Sequence, residues 1–174
     1  ATTILLPAGI YTLARPATVA DGDDNGDLNL TTPVSLGQDI TILGAGAAAT
    51  IIDANQIDRV LHVAAGRAAN ITGVTLRNGA VPSTTGGGIY NQGTLTLSNS
   101  TLSANTCEGA GAGVHNEDVL SVYSSTISGN NASNGPDFGP PALLTTMSIW
   151  PTLASAPATA SSAPLDVARS ATTY

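Results

Sequence analysis

Short runs of alternating apolar and polar residues recur along the chain, and they recur in register. Residues 86–105 read GGGIYNQGTLTLSNSTLSAN and residues 111–130 read GAGVHNEDVLSVYSSTISGN. At an offset of 25 residues, eight of twenty positions are identical, among them Gly86/Gly111, Asn91/Asn116, Ser100/Ser125 and Asn105/Asn130. Apolar positions coincide as well: Ile89/Val114, Leu95/Leu120, Leu97/Val122 and Leu102/Ile127. At an offset near 26 the pattern extends upstream, with Val63 under Ile89, Ile71 under Leu97, Thr75 under Thr101 and Leu76 under Leu102. Ile40–Gly44 and Thr50–Asp53 read as degenerate members, and Ile4 to Leu13 as an opening strand pair around a Pro7-Ala8-Gly9 turn.

The spacing inside one unit defines the kind of repeat. Leu95 and Leu97 flank Thr96, which places both on one face of a strand. The next interior candidates, Ser100 and Leu102, have the opposite parity, so the chain must turn a corner at Ser98-Asn99. The matching corner upstream is Thr72-Gly73, where glycine accepts backbone angles that other residues avoid. Asn91-Gln92-Gly93 reads as a further turn. Three short strands and a return loop in roughly 25 residues predict one coil of a parallel β-helix. Helical solenoids need a 3.6-residue apolar period, and propeller blades need about 40–50 residues, so both are excluded.

Stacked coils turn equivalent positions into columns. The expected apolar columns are Val63/Ile89/Val114, Ile71/Leu97/Val122 and Leu76/Leu102/Ile127. Asn91 over Asn116 and Asn105 over Asn130 are expected to stack as amide ladders. The same alignment puts His62 beneath Gly88 and His115 above Tyr90, in different columns, each facing outward beside an inward valine.

Composition narrows the partners. Only 10% of residues are charged, with five arginines, no lysine, 12 acidic residues and a net charge of -7. Nucleic acid and anionic membrane surfaces are bound through clustered cations, so neither is an expected partner. No apolar run approaches the ~20 residues of a membrane helix, and no membrane insertion is expected. Cys107 is the single cysteine and reads as a small buried filler or an incidental loop residue rather than a reactive site. The chain opens Ala-Thr-Thr and reads as a mature or truncated piece of something longer.

LPAGIYTL (6–13), GDLNL (26–30), ITILGAGAAATIIDAN (40–55), DRVLHV (58–63), ITGVTLRNGA (71–80), GGGIYNQGTLTLSNSTLSAN (86–105) and STISGNNA (125–132) together resemble bacterial CSLREA-domain proteins. These are right-handed parallel β-helix surface proteins with the pectin-lyase-like fold, related to polymorphic outer-membrane protein repeats. The likeness covers about residues 1–135, and the motif that names the family is absent from this sequence. It implies an all-β, right-handed parallel β-helix, secreted or at the bacterial cell surface, with a structural or adhesive role. No partner is read from the chain itself; surface glycans and other surface proteins are the candidates.

Candidate chemistry is sparse. Asp21, Asp23, Asn25 and Asp27, with Gly26 sixth, match the opening of a calcium loop. Position twelve is Thr32 rather than a bidentate Glu, and the flanks read as strands. The alternative function is a polysaccharide lyase or hydrolase, which needs clustered carboxylates with a base, or paired acids. Asp53, Asp58, Glu108, Glu117 and Asp118 are scattered instead, and Arg59 and Arg77 read as rung-edge residues. No catalytic or cofactor-binding residue is assigned.

After Asn134 the composition changes. The last 40 residues hold six of the ten prolines and the only Trp, Met and Phe. Pro140 and Pro141 lack the N–H groups a ladder needs. Residues 136–174 are therefore expected to leave the β-helix as an irregular Pro/Ala/Ser-rich tail. It reads as a cap that buries Met147, Ile149 and Trp150, as a linker, or as a disordered or out-of-frame terminus, the last being favoured.

Overall fold

A computed structural model describes residues 2–14, 26–30 and 40–135, together with the backbone of 143–148. The first coil holds β1 (Thr2–Leu6), β2 (Gly9–Thr12) and β3 (Leu28–Leu30), and the second holds β4 (Ile40–Gly44), β5 (Thr50–Asp53) and β6 (Leu61–Val63). The third coil adds a fourth strand: β7 (Ala68–Thr72), β8 (Thr75–Arg77), β9 (Ala80–Val81) and β10 (Ile89–Asn91). The fourth repeats it as β11 (Thr94–Ser98), β12 (Thr101–Ser103), β13 (Thr106–Cys107) and β14 (Val114–Asn116). The fifth comprises β15 (Val119–Tyr123), β16 (Thr126–Ser128) and β17 (Asn131–Ala132), and β18 (Leu143–Ser148) follows.

All strand pairings are parallel and run between successive coils. The result is four sheets, β1-β4-β7-β11-β15-β18, β2-β5-β8-β12-β16, β3-β6-β10-β14 and β9-β13-β17. This is the expected parallel β-helix.

In the third to fifth coils the first two corners are each made by one residue in the left-handed region. Gly73 (φ 69), Asn99 (φ 48) and Ser124 (φ 45) occupy the first corner of three successive coils, and Asn78 (φ 56), Ala104 (φ 54) and Gly129 (φ 64) the second. Such a residue reverses the parity of the strand that follows it, so Leu97 and Leu102 both point inward although they lie five positions apart. The strain at Asn99, Ala104 and Ser124, which carry a Cβ, is held by the pairing on either side.

The interior is built of apolar columns, and the first sheet contributes two, one of them Ile40, Ala69, Leu95 and Leu120. Ile42, Ile71, Leu97 and Val122 stack in the first sheet, and Ile52, Leu76, Leu102 and Ile127 in the second. A small second core of Val81, Cys107 and Ala112, with Ala132 against it, lies under the fourth sheet. Cys107 is buried there, as the filler reading anticipates.

Polar side chains bond the coils along the axis. Asn105 Nδ2 donates to Asn130 Oδ1 (2.9 Å) and to the Leu76 carbonyl (3.3 Å), while Asn105 Oδ1 accepts from the Gly79 amide (2.8 Å). Asn91 Nδ2 donates to Asn116 Oδ1 (2.6 Å). Ser100 Oγ accepts from the Val74 amide, and Ser125 Oγ from the Ser100 amide. These side chains supply the partners that amides displaced at the corners lose, which is why a buried Asn or Ser is tolerated there.

One expectation is corrected. The third-sheet column is Leu28/Leu61/Ile89/Val114, and Val63 pairs with Asn91 instead of Ile89. The cause is the turn between β6 and β7. It spans Ala64 to Arg67, whereas only Gln92 and Gly93 join β10 to β11. The two additional residues change the offset at this sheet without disturbing the first sheet. The backbone of β18 pairs in parallel with β15, with a register shift between Leu120 and Ser121. Ile149, Trp150 and the other residues of 136–174, as well as the Met147 side chain, lie outside the described residues.

Leu97→Ala is expected to destabilise the fold by about 2–5 kcal/mol, because Leu97 is fully buried at the centre of its column. Thr96→Ala should cost about 0.5 kcal/mol or less. Equal losses in a urea titration would refute the alternation.

Candidate functional site

The outer face of the third sheet carries a column that one-dimensional alignment does not show. Asn29, His62, Tyr90 and His115 stand directly over one another on β3, β6, β10 and β14. The expectation that the two histidines occupy different columns is therefore wrong, for the same reason of turn length. Each does face outward between inward residues, as expected. The His62 and Tyr90 rings stack at 5.1 Å and 23°, and the Tyr90 and His115 rings are tilted at 5.5 Å and 42°.

Polar bonds tie this column together. His62 Nδ1 lies 2.9 Å from Asn29 Oδ1 and His62 Nε2 lies 3.2 Å from Gln92 Oε1. Tyr90 Oη donates to Glu117 Oε1 and accepts from Gln92 Nε2, both at 2.9 Å. Gln92 Nε2 also donates to Glu117 Oε2 at 2.9 Å, and His115 Nε2 lies 3.5 Å from Glu117 Oε1. The bond from Gln92 holds the Glu117 carboxyl below the ordinary glutamate range against the effect of burial, and Tyr90 and His115 add to it.

Beneath Tyr90 sits Arg59. It is buried, not at a rung edge, and its guanidinium carbon lies 5.0 Å from the Tyr90 ring centroid. Its Nε is 3.9 Å from Asp27 Oδ2 and 4.0 Å from Asp58 Oδ1. Asp58 also accepts from the Gly26 amide at 3.2 Å. A buried cation is retained only where opposite charges accompany it, and this one has two.

Asp27 is thus engaged by Arg59 and by Asn29, whose Nδ2 donates to Asp27 Oδ1 at 2.9 Å. Asp21, Asp23 and Asn25, the other members of the calcium-loop pattern, lie outside the described residues. Among the described residues no group of three or more His, Cys, Asp or Glu side chains is placed to hold a metal ion.

A second polar cluster lies at the end of the second sheet. Asp53 and Arg77 are register partners on β5 and β8. Arg77 Nε donates to Asp53 Oδ2 at 2.8 Å, and Asn78 Nδ2 donates to both Asp53 oxygens. Aligning Ile51-Ile52-Asp53 with Thr75-Leu76-Arg77 reveals this pair in the sequence, but only at an offset shorter than that of the later repeats.

Along the fourth sheet runs an open groove of about 710 Å³ that crosses four coils. Gln56 and Ile57 come from the second coil, Ala80, Val81 and Pro82 from the third, Thr106, Cys107 and Glu108 from the fourth, and Ser133 and Asn134 from the fifth. Three coil spacings give it a length of about 14 Å. Among the described residues its lining combines amide and hydroxyl side chains, one carboxylate and several apolar residues, with no cation.

No protein-family model, curated protein or solved structure matches the chain. The class that the structure defines is that of parallel β-solenoids.

Asp53 supplies a test of the second-sheet cluster. Burial pushes its carboxyl up, but bonds from Asn78, the Asn55 amide and Arg77 outweigh burial and leave it below the ordinary value. A carboxyl depressed in the folded state stabilises fully above its unfolded pKa, about 3.9, and that contribution is lost as pH falls through the lower folded value. Chemical denaturation between pH 5 and pH 2 should therefore show a steeper acid loss for the native chain than for Asp53→Asn.

Proposed function

We propose that this chain is a non-catalytic β-helix segment of a secreted or cell-surface protein, with a structural and adhesive role. The CSLREA resemblance implies such a role, and the groove along β9, β13 and β17 carries the reading. A neutral sugar presents hydroxyl groups with an apolar ring face. Gln56, Thr106, Ser133 and Asn134 offer donors and acceptors for hydroxyls, and Ile57, Val81 and Pro82 offer the apolar contact. The Glu108 carboxylate disfavours uronates and other polyanions. The charge-poor surface and the axial Asn and Ser bonds suit a stiff module that works outside the cell.

The alternative reading is a carbohydrate-active enzyme. Its chemistry would need acids and a base exposed together, whereas Arg59 is enclosed with Asp27 and Asp58 and Arg77 is paired with Asp53. These groups hold coils together.

Neutral oligosaccharides are expected to bind, and uronate oligomers to bind at least tenfold more weakly, a difference of about 1.4 kcal/mol. Titration calorimetry with both classes measures this. Asn134→Ala combined with Gln56→Ala should weaken neutral binding without altering the melting temperature. Release of unsaturated, ultraviolet-absorbing products from pectate or alginate would overturn the non-catalytic reading.

A further inference from the structure

The bonds around His62 fix its charge through a chain of forced orientations. Asn29 Nδ2 donates to the Asp27 carboxylate at 2.9 Å, so its amide oxygen must be the atom that faces His62 Nδ1 at 2.9 Å. Gln92 Nε2 donates to Glu117 Oε2 and to Tyr90 Oη, so its oxygen must be the atom that faces His62 Nε2 at 3.2 Å. Flipping either amide would set a carbonyl oxygen against a carboxylate oxygen at 2.9 Å. Both ring nitrogens therefore face acceptors, and a neutral imidazole has only one N–H to give.

We propose that His62 is held as the doubly protonated imidazolium and acts as an acid-strengthened clamp joining β3, β6 and the turn after β10. Two carboxylates, Asp27 and Glu117, dictate this at a distance by orienting the amides that touch the ring. The Tyr90 face stacked on His62 adds attraction for the cation. Among the described residues the Arg59 guanidinium, 5.0 Å from that same Tyr90 ring, opposes the charge, and Asp58 beside Arg59 offsets it. His115, the register partner of Tyr90 on the next coil, lies 3.5 Å from Glu117 Oε1. The depressed carboxyl of Glu117 is consistent with its remaining ionised wherever His62 titrates.

The sign of the effect follows. Bonds that only the charged ring can make raise the folded pKa above the unfolded value of about 6.5. The clamp is then fully present below that value and is lost as pH rises through the folded pKa. What it secures is the docking of β3 against β6, since Asn29 is the His62 partner on the first coil.

Nitrogen-15 chemical shifts of the imidazole in the intact chain test this directly. The expected result is that both His62 nitrogens carry protons at pH 7, with a titration midpoint above that of a free histidine peptide. Glu117→Gln should move the midpoint down, and His62→Gln should abolish the loss of β3 amide protection between pH 6 and pH 8, after correction for intrinsic exchange. A neutral single tautomer at pH 7, or a midpoint at or below the peptide value, would overturn the proposal. The native titration decides the matter even where a variant fails to fold.

Discussion

Everything in this molecule depends on the fixed spacing, about 4.8 Å, between hydrogen-bonded parallel strands. A coil must return to that distance above its starting point, whatever the length of chain spent on the way. Strand pairing fixes which residues lie over which, and the corners absorb the remainder. At the first two corners of the third to fifth coils one left-handed residue achieves the turn, and the glycine, asparagine, serine or alanine found there stacks over its counterparts. The axial Asn and Ser bonds follow from the same constraint. Where the backbone bends away from its neighbour, a side chain must reach across to satisfy the stranded amide.

The architecture was legible because the inward columns repeat at strand spacing and because the two best repeats lie next to each other. Leu97 over Ile71 and Asn105 over Asn130 could be placed from residues alone, and so could the corner at Asn99. The third sheet could not. Its register depends on turn length, and Ala64 to Arg67 carries no mark in the sequence that says two residues should be discounted. The error carried through from Val63 to the histidines, which converge on Tyr90 only once the coils are stacked. Arg59 was unreadable for a different reason. Its burial depends on Asp27, more than one coil away along the chain, and no local pattern links them.

Charged side chains are few, and two pairs of them join neighbouring coils, Asp53 with Arg77 and Asp27 with Arg59, while Asp58 lies beside Arg59 and Glu117 beside His115 within one coil. Such pairs contribute little as isolated surface contacts. Partly enclosed and bonded to amides, they set relative height and orientation. The surface left for recognition is accordingly one of hydroxyl, amide and aliphatic groups.

The parallel ladder has a mechanical consequence. Its bonds lie along the axis, so a load applied between the two ends crosses the coil junctions one after another, and the weakest junction sets the strength of the whole. Junctions among the third, fourth and fifth coils are tied by a strand of the fourth sheet as well as by the amide and hydroxyl ladders. Among the described residues the first two coils contribute no strand to that sheet. Tension should therefore part the first two coils before it parts the third, fourth and fifth from one another, and dissipate work in small steps while those three hold.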